Sequence, residues 1–223
     1  MTEHLMNLGH GFLEQGAYSE AEHAFAEATE EEPENPRAWF YLGNVLRYQG
    51  RHDEAEVAYK RSLDLDSTNP DTWNNLGIAL EHQGRLEESQ QSYEKATELE
   101  PDQDLYWRNL GNCLHYQEKY VGSEEAYRSA LAINKSDPRT LYELAIILNI
   151  LDKPEEAEEL ALQVHQLRPD KSTGRRSWRL IASIRERLGR HPHQILNAYI
   201  KMARDIELER SELSQWEDRL EVF

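Results

Sequence analysis

The stretch PRAWFYLGNVLRYQGRHDEAEVAYKRSLDLDSTN, residues 36–69, is followed at once by PDTWNNLGIALEHQGRLEESQQSYEKATELEPDQ, residues 70–103. Laid one above the other, they share proline, tryptophan, leucine, glycine and tyrosine at the same places, 34 residues apart. The register extends in both directions. Trp39, Trp73, Trp107 and Leu141 hold one place, and three residues on stand Leu42, Leu76, Leu110 and Leu144. Gly43, Gly77, Gly111 and Ala145 come next. Ala55, Ser89, Ser123 and Ala157 hold a later place, and four residues beyond it stand Tyr59, Tyr93, Tyr127 and Ala161. One period upstream, Leu5, Leu8, Gly9, Phe12, Ala21, Phe25 and Ala28 fit the same frame. Five repeats therefore run in one phase without an insertion: 2–35, 36–69, 70–103, 104–137 and 138–171.

Within each repeat the apolar residues recur at intervals of three, four and seven, which is one stripe on each of two helices. Gly16, Gly50 and Gly84 stand where the first helix ends, a place that favours a left-handed backbone. Pro154 opens a second helix, where its missing N–H is no loss. Small residues at Gly43 and Ala55 allow close approach of the two helices, and Trp39 and Tyr59 fill the space around them. A single hairpin cannot bury both stripes, so neighbours must stack. Trp73 then stands at a packed joint, where truncation to alanine is expected to cost about 3–5 kcal/mol.

Composition narrows the function classes. The apolar share is 39% and the charged share 30%, a thin supply that only a regular pattern turns into a core. The longest apolar stretch, Ala145 to Leu151, is broken by Asn149 and too short to span a bilayer. No basic segment followed by an apolar run opens the chain, and one cysteine, Cys113, excludes an internal disulfide framework. The expected setting is a reducing cytoplasm. Net charge is −17, which repels nucleic acid and anionic membrane. One segment departs from this: residues 168–190 carry eight basic and two acidic residues, including Arg176, Arg179, Arg185 and Arg187.

This frame resembles the tetratricopeptide repeat family, whose pattern W-x2-L-G-x2-Y…A-x3-F…P is met at most of its places over residues 2–171. Leu46, Leu80 and Leu114 stand where the family often has tyrosine, and the fifth repeat lacks the tryptophan and glycine. The expected fold is an all-α, right-handed α-α superhelix, or solenoid, of five regular hairpins. A degenerate sixth repeat at 172–204 follows a three-residue slip, with Trp178, Ile181 and Ala182 repeating the Trp–Leu–Gly spacing. The slip, an insertion at 172–174, is expected to bend the superhelix. A helix at 205–223 continues a heptad through Ile206, Leu213 and Leu220, either capping the stack or pairing with another subunit.

The resemblance implies a concave groove lined by the first helix of each repeat, which takes a partner's extended or helical segment without catalysis. It implies a soluble adaptor or scaffold, broadly co-chaperone-like. Carried onto this chain, the groove residues are Arg37, Tyr41, Asn44, Arg47, Tyr48, Asn75, Arg108, Asn109, Asn112, Tyr116, Arg139, Tyr142, Arg176 and Arg179. Asn74, Glu81 and Glu143 share those faces. The asparagines suit a peptide backbone, and the arginines suit carboxylates of an acidic or mixed-charge protein partner. Asn7, Asn75 and Asn109 are similar to part of the asparagine ladder in the O-linked sugar transferase, with Tyr41 and Glu143 interrupting it. The carboxylate clamp of heat-shock co-chaperones is excluded, because Phe40, Leu105 and Asn109 stand where its basic residues belong.

No Gly-rich phosphate loop, G-x-S-x-G elbow or H-E-x-x-H motif occurs, and Cys113 reads as a packing thiol. His191 and His193 flank a proline without acidic or cysteine partners at ligand spacing. The chain therefore reads as no enzyme, with no cofactor, metal or nucleic-acid partner. The alternative to an adaptor is a structural protein that self-associates, as a homo-oligomer, through 205–223 or the ends of the stack.

Overall fold

The computed structural model of the chain describes residues 1–167 and 171–189, the side chains of 171–175 and 178 excepted. Among the described residues there is no β-strand, and the regular elements are eleven helices. They are α1 (Thr2–Glu14), α2 (Tyr18–Glu31), α3 (Pro36–Tyr48), α4 (His52–Leu65), α5 (Pro70–His82) and α6 (Leu86–Leu99). There follow α7 (Asp104–Tyr116), α8 (Tyr120–Ile133), α9 (Pro138–Ile150), α10 (Pro154–Gln166) and α11 (Lys171–Arg187). They fall into two compact units, one ending at Gln117 and the other beginning at Glu118. The heptad segment 205–223, and the part of the sixth repeat beyond residue 189, lie outside the described residues.

Local chemistry sets the helix ends. Asn35, Asn69 and Asp137 cap α3, α5 and α9, their side chains accepting from Arg37 N (3.1 Å), Thr72 N (3.1 Å) and Thr140 N (3.0 Å). Each cap precedes a proline at the first helical position. The first helix of a hairpin stops on a residue with positive φ: Gly16 (71°), Gly50 (78°) and Gly84 (75°). The corresponding places in the next two repeats carry Glu118 (59°) and Asp152 (61°), which adopt the same backbone against the preference of an L side chain.

The three hairpins of the first unit close on a ring laid against a glycine. A methyl group on Gly43 would lie 2.6 Å from the Tyr59 ring, and one on Gly77 would lie 2.7 Å from Tyr93. The same holds for Gly9 and Phe25, at 2.6 Å. In the fifth repeat both members change together, to Ala145 and Ala161, each fully buried. Without the ring, the extra methyl has room. Tyr59 and Tyr93, both fully buried, are thus the central side chains of their hairpins.

The tryptophans are less central than their conservation of place implies. Trp39, Trp73 and Trp107 are only partly buried. Each indole N–H donates to the backbone carbonyl six residues earlier, at Pro33 (2.9 Å), Ser67 (2.9 Å) and Pro101 (2.8 Å). They clasp the turn between repeats and cover the core from its rim, so the full core truncation expected from the sequence overstates the effect at Trp73.

Neighbouring hairpins within a unit are joined by a repeated polar clasp. Gln49 Nε2 (3.0 Å) and Arg51 (2.6 Å) donate to Glu22. One repeat on, Gln83 Nε2 (3.0 Å) and Arg85 (2.6 Å) donate to the buried Glu56. In the second unit Lys153 donates to both oxygens of the buried Glu124, at 2.8 Å. Burial pushes the Glu56 carboxyl up, but bonds from Lys60, Arg85 and Gln83 outweigh it and hold the group at about 2. Glu124 is lowered in the same way, with Lys153 and Arg128 overcoming burial.

The insertion at 172–174 does not break the helix. α11 runs 17 residues, against 13 for α1, α3, α5, α7 and α9, so the extra residues are absorbed as added helical turn. Ile181, Ala182 and Ile184 on it are fully buried.

Three outcomes are expected from urea and thermal denaturation. Tyr93→Ala costs about 3–5 kcal/mol, and Trp73→Ala about 2–3 kcal/mol, because only the first leaves a hole in the core. Glu118→Gly stabilises by about 0.5–1 kcal/mol, and Asp152→Gly by less, since aspartate tolerates the left-handed region better. The Glu56 contribution is complete above the usual glutamate value of 4.5 and is lost as pH falls toward about 2. Glu56→Gln should therefore be less stable at neutral pH and lose less stability across that acid window.

Candidate functional site

Within the first unit α3, α5 and α7 lie side by side and line one face. A chain of amides crosses it. Asn109 Nδ2 donates to Asn74 Oδ1 (2.8 Å), Asn74 Nδ2 to Asn75 Oδ1 (3.2 Å), and Asn75 Nδ2 to Asn44 Oδ1 (2.8 Å). Asn44 Oδ1 also accepts from Tyr59 OH (2.8 Å), whose oxygen receives Arg47 Nε (3.3 Å). Asn74 is only 3% exposed, while Asn44, Asn75 and Asn109 are half-buried. Each link uses one N–H of a two-donor amide, so Asn75 and Asn109 each keep one N–H outside the chain of bonds. The asparagines expected to meet a ligand therefore meet one another first, and the chain of bonds holds their orientation.

The other expected residues of this unit divide into four groups. Tyr41 packs edge-on to His10 (centroids 4.2 Å apart), parallel to Phe25 (5.4 Å) and edge-on to Phe40 (5.0 Å), an aromatic cluster of the first two repeats. Arg37 is exposed on the first turn of α3, and its charge helps lower the His10 pKa, after the larger effect of burial. Arg108 and Asn112 are half-buried on α7. Tyr48 and Tyr116 end their helices at 53% and 62% exposure. Tyr48 stacks on Tyr18 of α2 (5.6 Å) beneath the Arg47 guanidinium (4.5 Å).

Glu81, on the last turn of α5, shares the amide face. Tyr93 OH donates to its Oε2 at 3.3 Å. Tyr93 is the counterpart of Tyr59, but Ile78 stands where Asn44 would accept, so the hydroxyl turns to Glu81 instead. Burial raises the Glu81 carboxyl above the usual range, the Tyr93 bond and His82 only partly opposing it.

In the second unit α9 and α11 touch, bringing together Tyr142, Glu143, Arg176 and Arg179. Burial raises Tyr142, and the two arginine charges oppose that shift. Burial also raises Glu143, against the charge of Arg176. Arg139, Arg176 and Arg179 are exposed. The basic segment is thus divided in its task. Arg185 Nε binds the buried Glu158 (2.6 Å), and Arg187 binds Asn149 O (2.7 Å) and the Asp152 carboxylate. Arg176 and Arg179 instead stay on the open face.

Among the described residues no three of His, Cys, Asp and Glu are placed to hold a metal ion. No described helix is long and apolar enough to cross a membrane. Cys113 is buried, its thiol donating to Leu86 O at 3.3 Å.

Two features escape a reading of the first helices alone. The hydroxyls of Tyr59 and Tyr93 pass from the hairpin core to the amide face, although the pattern marks both tyrosines only as packing residues. The glutamate clasps do leave a sequence signal, since Glu22, Glu56, Glu124 and Glu158 fall on the 34-residue frame.

The sequence matches the family described as cilia and flagella-associated protein 70 C-terminal domain over residues 5–144. A comparison with curated proteins finds no match. Among solved structures, Pseudomonas aeruginosa PilF is 21% identical, covering 97% of each chain with a TM-score of 0.75. PilW, a type IV pilus biogenesis factor, is 17% identical over 93% of this chain and 94% of its own, at 0.76. YrrB, a tetratricopeptide protein described as having an unusual peptide-binding site, is 16% identical over 76% and 87%, at 0.66. At such identities these likenesses speak for the fold alone. Consecutive helical hairpins on a 34-residue frame, with a family match over most of it, make this chain a tetratricopeptide repeat protein belonging to the family of the cilia and flagella-associated protein 70 C-terminal domain.

Proposed function

We propose that the protein is an interaction adaptor that captures a segment of a partner protein on its first-helix faces, without chemistry. The observation that carries this reading is the amide chain Asn44–Asn75–Asn74–Asn109. Amides fixed by one another offer their remaining N–H groups in a set direction, which suits the repeating carbonyls of an extended backbone and is indifferent to its side chains. On the second unit the exposed Arg139, Arg176 and Arg179 beside Tyr142 suit acidic side chains. YrrB, of the same fold, supports the reading by its described peptide-binding site.

The test is affinity capture from the native lysate by the wild-type chain and by an Asn75→Ala/Asn109→Ala variant of equal circular dichroism. A partner lost with the variant is expected, and a second loss with Arg176→Ala/Arg179→Ala would mark the acidic contact. Binding through the arginines weakens as salt rises, since exposed charge pairs are screened. Partners retained by both variants would overturn the reading.

A further inference from the structure

The 34-residue frame gives Glu81 the same place as Arg47 on α3 and His115 on α7. That place is the last turn of the first helix, where unsatisfied carbonyls favour a cation and disfavour a carboxylate. Glu81 is half-buried as well. Among the described residues its carboxylate accepts one hydrogen bond, from Tyr93 OH (3.3 Å), and forms no ion pair. The buried Glu56, Glu124 and Glu158 are treated differently: Glu56 is met by Lys60 and Arg85, Glu124 by Arg128 and Lys153, and Glu158 by Arg185. Tyr93 does not account for the charge, because a neutral glutamine would accept the same bond. Glu81 therefore carries a charge that disfavours its own folded state and that no internal contact requires. Such an inconsistency in an otherwise regular frame marks a functional position.

We propose that Glu81 seats a lysine or arginine side chain of the captured segment. This rests on the reading of the amide face given above. Asn74 and Glu81 are seven residues apart on α5, close to two turns, hence on one face and about 10 Å apart along the axis. That distance is within the combined reach of an extended backbone on the amides and a basic side chain. The incoming cation forms a charge-assisted bond in a site already partly dry, where it is stronger than in water. It also restores at α5 the positive charge that Arg47 supplies at α3. A partner chosen this way is basic at one defined place, whatever acidic residues it presents elsewhere.

The experiment selects a random peptide library on the full chain and measures the selected peptides, as free peptides, against three proteins: wild type, Glu81→Gln, and Asn75→Ala/Asn109→Ala. The selected peptides are expected to share one Lys or Arg, and to lose about tenfold or more in affinity with Glu81→Gln. Replacing that Lys or Arg by norleucine should cost a similar factor on the wild type and little on Glu81→Gln. Peptides that weaken with the asparagine variant but bind Glu81→Gln as tightly as wild type would overturn this inference and leave the amide face standing. Peptides indifferent to both variants would overturn the amide-face reading, and this one with it. A melting measurement on the free proteins decides independently. Glu81→Gln should melt above the wild type at neutral pH, since it removes a charge the fold disfavours. A lower melting temperature would assign the carboxylate to folding and overturn the proposal.

Discussion

The close approach of a ring to a glycine backbone governs most of what this protein presents. With Phe25 on Gly9, Tyr59 on Gly43 and Tyr93 on Gly77, the two helices of a hairpin come nearer than any side chain on the first helix would permit. The contact is tight enough that ring and glycine are exchanged as a pair, as Ala145 and Ala161 demonstrate. It also has a polar consequence. A tyrosine pressed through the hairpin in this way delivers its hydroxyl to the far side, where it pins Asn44 in one repeat and Glu81 in the next. Core packing and the chemistry of the open face are thus two ends of the same side chain.

The joints between hairpins obey a different logic. In a chain of net charge −17, Arg51, Arg85 and Lys153 are committed to clasps on the half-buried Glu22 and the buried Glu56 and Glu124. Such pairs are held by several donors at once, which offsets the desolvation that burial imposes. Arg185 and Arg187 extend this use into the basic segment, leaving Arg176 and Arg179 on the face of α9 and α11. On the reading proposed above, the first unit offers a partner its amides and the Glu81 carboxylate, and the second its arginines and a tyrosine.

The hairpins, their length and their ends were legible in the chain itself. The period runs through five repeats, the Asn-Pro and Asp-Pro caps open three of them and glycines of positive φ end the first helix in three, and such local signals survive without knowledge of neighbours. Burial rank was less legible, because tryptophan's size hid its place at the rim, where its N–H serves the preceding turn. The membership of the amide face was readable from the first-helix positions, but its wiring was not. Asn75 reaches Asn44 across 31 residues and Asn109 reaches Asn74 across 35, and neither pair shares a place in the frame. By itself the sequence determined a train of helical hairpins with a mostly acidic exterior. Only the tertiary structure decided which asparagines bond, which arginines are committed and which buried glutamates are met by a cation, because each depends on how side chains of the hairpins meet.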